Sequence, residues 1–176
     1  DTYEIGMSNV GMRILYGVMN QMDGVWCERV FAPWGDMEKA MVENNLPLWA
    51  LESQDPVKDF DMIAFTIGYE MCYSNIVNML SLAGVPLHAN ERKGLKNIVF
   101  AGGVCAYNPE PLADFVDFFS LGEGEEITVE IVSLYDRAKA ENWSKEQFLR
   151  EVAKIPGVYV PSFYRHEYNA DGTLSA

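Results

Sequence analysis

The residue types able to do chemistry in this chain are sparse, and the most suggestive of them are glycines. There are three cysteines, Cys27, Cys72 and Cys105, and two histidines, His88 and His166. The cysteines are single and widely spaced. They form neither a disulfide framework nor the close-set thiolates that hold an iron–sulfur cluster. Cys72 and Cys105 read as small core residues at helix starts, and each lone histidine reads as a surface residue. The glycines cluster differently. Gly102-Gly103 closes one apolar run, and Gly122-Glu123-Gly124-Glu125 closes the next. A residue without a Cβ lets a flat or bulky ligand approach the backbone. Amides at the start of the following helix can receive a ligand oxygen, although Glu123 and Glu125 disfavour a phosphate. Thr66, near the end of a third apolar run, offers a hydroxyl. The plain alternative is that these glycines only turn strands into helices. Neither G-x-G-x-x-G nor a P-loop occurs, so no dinucleotide or nucleoside triphosphate is indicated.

The elements that must position these residues alternate. Val10, Ile14, Val18 and Met22, with Leu15 and Met19, mark one apolar helix face behind Ser8 as a cap. Val25 to Phe31 is strand-like, Pro33 to Asn45 holds a short helix, and Leu48 to Leu51 suggests an edge strand. Met62 to Ile67, Ile98 to Ala101 and Val116 to Leu121 are continuous apolar runs, as in strands buried on both faces of a parallel sheet. Helices follow the first and last of these runs. One carries Ile76, Val77, Leu80 and Ala83 inward and ends at Gly84. The other carries Ile127, Ile131, Leu134, Tyr135 and Ala138. This alternation predicts an α/β fold with a doubly wound, mainly parallel sheet over residues 1–140. Val25 to Val30 is expected to be one of its strands. Ligands of such sheets bind beyond the carboxyl ends of the strands. Residues 141–176 read as a connector: Ser144 and Gln147 form a capping box, Tyr159 to Tyr168 alternates like a strand, and Asn169 to Gly172 reads as a turn.

Bulk properties narrow the field. The chain has 176 residues, 49% of them hydrophobic and 12% aromatic, which suits one folded α/β domain. A formal net charge of −13 disfavours contact with a nucleic-acid backbone. No 18-residue apolar stretch and no leader pattern are visible, so neither a membrane span nor secretion is expected. Unpaired cysteines in odd number suit a reducing cytoplasm.

The opening hexapeptide Asp1-Thr-Tyr-Glu-Ile-Gly6 gives the glycines a context. Cobalamin-binding domains carry D-x-H-x-x-G after their first strand, a serine motif after the third and G-G after the fourth. Asp1, Tyr3 and Gly6 match the first pattern with Tyr in the histidine position. Thr66 falls at the serine and Gly102-Gly103 at the glycine pair. Gly122-Glu-Gly-Glu resembles the G-E-G-E that ends this domain in radical SAM proteins. Asp1-Thr-Tyr-Glu-Ile-Gly-Met-Ser, Phe31-Ala-Pro-Trp, Asn108-Pro-Glu-Pro and Pro156-Gly-Val-Tyr-Val-Pro extend the likeness over nearly the whole chain. The chain therefore resembles the cobalamin-binding-like N-terminal domain of a radical SAM family.

That resemblance implies a flavodoxin-like, Rossmann-type fold that holds cobalamin or substrate over a radical active site. Its cofactor residues would be Asp1, Tyr3, Gly6, Thr66, Gly102, Gly103, Gly122 and Gly124, with no catalytic residue and no metal ligand in this segment. S-adenosylmethionine and a [4Fe–4S] cluster would belong to a downstream barrel beyond Ala176, the implied partner. A homo-oligomer stays open. Two departures matter. A phenol is a poor cobalt ligand where imidazole is a good one, so Tyr3 is not expected to ligate cobalt. The C-x-x-x-C-x-x-C cluster motif is absent from these residues. The D-x-H-x-x-G loop also normally follows a central first strand, which is missing here. The Leu48 to Leu51 run, the Tyr159 to Tyr164 strand or a neighbouring chain is expected to fill that slot. The alternative function is a cofactor-free interaction or scaffolding module. An FMN-binding module is weaker, for want of a Ser/Thr-rich phosphate loop.

Overall fold

The computed structural model describes residues 1–175. Its elements run α1 (Tyr3–Gly6), α2 (Val10–Met19), α3 (Gly35–Glu43), β1 (Met62–Thr66), α4 (Tyr73–Ala83), β2 (Ile98–Gly102), β3 (Phe118–Ser120), α5 (Gly124–Ala140), α6 (Lys145–Val152) and β4 (Val158–Tyr159). The four strands form one sheet in the order β1-β2-β3-β4. β1, β2 and β3 are parallel, and β4 is antiparallel to β3.

Apolar runs build this sheet because both of its faces are covered. Along β2, Val99 and Ala101 point to one face, where they meet Ile76 and Leu80 of α4 and Met41 of α3. Ile98 and Phe100 point to the other, where they meet Ile127, Ile131 and Tyr135 of α5 and Phe148 and Val152 of α6. The period of two along a strand thus feeds two cores. The sheet is doubly wound, as the sequence pattern requires. α4 stops where expected: Gly84 takes a left-handed φ of 69°, and its amide closes the helix on Ser81. Ser144 caps α6 by accepting from the Gln147 amide at 3.1 Å. α6 buries Phe148, Leu149 and Val152 in the same core as α5, so residues 141–160 pack into the domain. Further on, Asn169 to Gly172 turns the chain, and Tyr168 bridges Leu174.

Three expectations are corrected. Val25 to Val30 is extended but outside the sheet. It is held by side chains and loops instead: the Asn20 side chain clamps both the amide and the carbonyl of Cys27 at 3.0 Å, and Arg29 O accepts from the Leu51 amide. A strand is defined by a neighbour, and the residues beside this one offer none. Leu48 to Leu51 is likewise no sheet strand; Trp49 makes a single antiparallel bridge to Pro56. Third, neither this run nor the C-terminal strand fills the slot of the missing first strand. β4 lies on the far side, against β3, and is only two residues long before the chain turns at Pro161. Among the described residues nothing pairs with the outer edge of β1.

At the amino end of the strands a charged cluster sits inside the fold. Asp117, just before β3, accepts from the Val99 amide at 2.8 Å and from the Arg92 guanidinium at 3.1 Å. Lys145 Nζ lies 2.5 Å from its other oxygen. Only 1% of the Asp117 and Arg92 side chains is exposed. Removing one partner of such a cluster strands buried charge. We therefore expect Asp117→Ala to lower unfolding free energy by about 3–5 kcal/mol in urea denaturation. Glu146→Ala, which breaks an exposed ion pair on α6, should leave the midpoint almost unmoved. Equal effects would mean that the cluster is not what fixes this end.

Candidate functional site

The parallel register sets the carboxyl ends of the strands side by side. Thr66 pairs with Gly102, and Gly102 with Ser120, so one row crosses the sheet at its rim. Gly103 follows directly. Gly122 and Gly124 come just after β3, at the start of α5. Asp1 reaches the same end through Cys72, whose Sγ lies 4.0 Å from its carboxylate. Gly6 is buried behind the Phe31 ring. Tyr3 stands edge-on to Phe31 at 5.6 Å and stays half exposed. Among the described residues no hydrogen bond links Tyr3 or Gly6 to Thr66, Gly102 or Gly103.

The space each glycine leaves is the direct test of a ligand-admitting role. A Cβ on Gly103 would lie 2.7 Å from the Ile67 carbonyl oxygen and 3.0 Å from its amide, and φ there is +100°. That glycine is demanded by the protein's own backbone, which also bonds the Cys105 amide to Ile67 O at 3.2 Å. A Cβ on Gly102 would press on Ser120 O at 3.3 Å, and one on Gly124 on the Leu15 side chain at 3.2 Å. Gly122 differs: the space is open, and its φ of +117° alone explains the residue. Set against cobalamin, the chain offers a phenol at Tyr3 where imidazole would be needed, and at Gly102-Gly103 a glycine pair already filled from within. These residues do not fit a histidine-ligated cofactor.

Two of the three thiols are shifted towards the protonated form. Burial, helped by Glu52 and Glu28, pushes Cys27 up to about 11. Burial and Glu70 raise Cys105. Neither is a ready nucleophile or metal ligand. Among the described residues no group of three or more His, Cys, Asp or Glu is placed to hold a metal ion. His88 stacks on Phe115, and His166 lies 3.8 Å from Glu110; both are exposed.

What the glycine motifs did not reveal is the apolar character of the loops above the rim. Tyr69 and Met71 follow β1, and Val104 and Tyr107 follow β2. They are 49%, 79%, 73% and 69% exposed. The two loops are locked together, because the Tyr73 hydroxyl donates to Cys105 O at 3.1 Å and lies 2.9 Å from Asn108 O. The signal was present in the sequence as large apolar residues directly after strand ends. Beside this rim, Tyr3, Arg29, Phe31, Trp34 and Trp49 line a shallow cleft.

Taken together, the parallel sheet covered on both faces and its glycine-turned carboxyl rim define a Rossmann-type α/β module. Residues 11–161 match the family model described as the N-terminal domain of radical SAM proteins, and the chain belongs to that family. It is similar to uncharacterized protein MJ0966 of Methanocaldococcus jannaschii, with 32% identity over 93 residues. The matched part is 51% of this chain and 19% of that relative. No solved structure matches the chain. Among the described residues no helix is long and apolar enough to cross a membrane.

If Gly103 serves the fold, replacing it must hurt the fold. Gly103→Ala adds a backbone clash to a left-handed φ and should cost about 2–4 kcal/mol in chemical denaturation. Gly122→Ala meets only the strained φ and should cost about 1–2 kcal/mol. The reverse order would show that the space at Gly103 is freer than the geometry states.

Proposed function

We propose that this chain is the docking and covering module of a radical SAM protein, a domain that brings no catalytic group of its own. Its carboxyl rim faces the downstream catalytic domain and closes over that domain's active site. The observation that carries this reading is the pair of interlocked loops bearing Tyr69, Met71, Val104 and Tyr107, which hold large apolar side chains in solvent at one end of the sheet. Contiguous exposed apolar surface marks an interface. The family membership supplies the partner: a domain described as N-terminal in radical SAM proteins has the rest of such a protein to meet.

A second reading is a module that positions cobalamin without a protein ligand. The exposed Thr66 hydroxyl end of the row and the open space at Gly122 favour it. In that case bound cobalamin would supply methyl-transfer chemistry, and this chain's part would be to seat it at the rim. Tyr3 stands half exposed beside Phe31 and would contribute shape rather than coordination.

Two measurements separate the readings. Hydrogen exchange on the full-length protein should show residues 69–71 and 104–107 slowed about tenfold or more relative to the 176-residue chain; equal rates would remove the interface. Titration of the same protein with hydroxocobalamin should give no saturable absorbance change. A saturable change, unaltered by Tyr3→His, would establish the ligand-free cobalamin seat instead.

A further inference from the structure

We propose that the aromatic cleft at the Phe31-Ala-Pro-Trp34 segment is a binding site for a small molecule carrying a guanidinium head. The local chain builds this cleft. The bridge between Thr2 and Ala32 brings Tyr3 to Phe31, and the two rings meet edge to face at 5.6 Å. Trp34 stands at the amino end of α3 with 58% of its surface exposed. Trp49, held by its bridge to Pro56, completes the aromatic lining. The space between them is about 360 Å³, enough for a small ligand.

Charge selects the ligand. Glu4 and Asp36 line the same cleft, and among the described residues neither is paired with a cation. The backbone amide of Glu4, and then the Trp34 indole donating at 3.0 Å, hold the Glu4 carboxyl below the usual carboxylate range, against the nearby charge of Asp36. Arg29 also lines the cleft, but its charge is already spent. Its Nε donates to Glu52 at 2.7 Å, and its guanidinium lies over the Tyr16 ring at 4.7 Å. The amino end of α3 carries a partial positive charge, which Asp36 and Glu38 in its first turn more than offset. An anionic ligand is therefore disfavoured, and a cation that stacks on aromatic faces is favoured.

The same molecule shows this arrangement completed elsewhere. The Trp143 indole donates to one oxygen of Glu141 at 2.8 Å. Arg137 donates to the other at 2.9 Å and lies over the Trp143 ring at 5.3 Å. At Trp34 the indole and the carboxylate are set in the same way, but among the described residues no cation of this chain lies over the ring. A guanidinium from outside would supply the missing third member, flat against the indole and bonded to Glu4. Trp26 is the contrast. It also donates to a glutamate, Glu28, but the other oxygen of Glu28 is taken by the Ser53 amide and hydroxyl, both at 2.9 Å. Trp26 lies outside the cleft. The cleft also excludes Tyr69, Met71, Val104 and Tyr107, so its ligand and the proposed docking loops stand or fall separately.

The test uses the full-length protein with isotope-labelled tryptophan and follows the indole N–H signals by NMR. Ethylguanidinium is the probe, and ethylurea is its neutral counterpart of the same shape. Ethylguanidinium should move the Trp34 and Trp49 signals saturably, with half-saturation at about 10 mM or below. Trp26 and Trp143 should stay in place. Ethylurea should bind about fivefold more weakly or not at all. Glu4→Gln keeps the acceptor for Trp34 and removes the charge; it should weaken the probe about threefold or more, read at Trp34. Trp34→Ala should weaken it about fivefold or more, read at Trp49. Should that variant not fold, Glu4→Gln carries the test alone. A cleft closed to the probe in the full-length protein overturns the proposal. Equal binding of ethylurea, an unchanged affinity in Glu4→Gln, or equal shifts at Trp26 and Trp143 overturn it as well.

Discussion

The Asp117 carboxylate is the constraint on which the rest of this fold hangs. It stands where β3 begins, and three groups converge on it from different parts of the chain. The Val99 amide joins it to β2, Arg92 to the long connection between α4 and β2, and Lys145 to the first turn of α6. Arg92 spends its remaining reach on Pro86 O, Leu87 O and Phe115 O, and Lys145 Nζ donates to Ala89 O and Arg92 O. A connection of irregular backbone is thereby pinned at both ends. Among the described residues Arg92 Nε has no acceptor, so the satisfaction is close but incomplete. Burial holds the Lys145 ammonium below the ordinary range of a lysine, against the pull of Asp117. Such a cluster adds little net stability compared with apolar residues of the same size, but it tolerates few arrangements other than its own.

Fixing the amino end leaves the carboxyl end free to vary, which is the usual division of labour in parallel α/β sheets. The strands enter at Asp61, Asn97 and Asp117, where polar side chains tie the connections. Asn97 adds a bond to Phe60 O at 2.7 Å. They leave through glycine turns and apolar loops. The rim is therefore built on a tied base, and the two loops above it are joined through the Tyr73 hydroxyl.

Much of this was legible in the sequence, for reasons that differ by element. The three parallel strands showed as unbroken apolar runs because both of their faces are covered. α6 was announced by Ser144 and Gln147, a local motif that needs no tertiary knowledge. Val25 to Val30 misled because strand-like composition says nothing about whether a neighbour is present. β4 was placed only loosely, since two antiparallel residues carry little periodicity. The Asp117 cluster was invisible: a charged residue before an apolar run reads as surface, and Arg92 and Lys145 are distant from it in sequence. Of the candidate site residues, Thr66 and Gly102 proved to be register partners across one ladder. Tyr3 and Gly6 were seen as a motif, but their packing against Phe31 needed the fold.

The glycines also show how structural and functional readings of one residue can be separated. A glycine kept for a ligand leaves its missing Cβ pointing at empty space. At Gly103 that space is occupied by Ile67, at Gly102 by Ser120 and at Gly157 by Leu121, all backbone of this same chain. At Gly122 the space is empty, but φ of +117° already demands glycine. Each residue is thus accounted for by the local chain, with no ligand required to explain it. The apolar loops are not so accounted for. Met71 and Val104 stabilise nothing visible while solvent surrounds them, and hydration of that surface is a standing cost that burial would relieve. The exposed apolar residues above the rim thus differ from the glycines that form it: the local chain explains the glycines and leaves Met71 and Val104 in solvent.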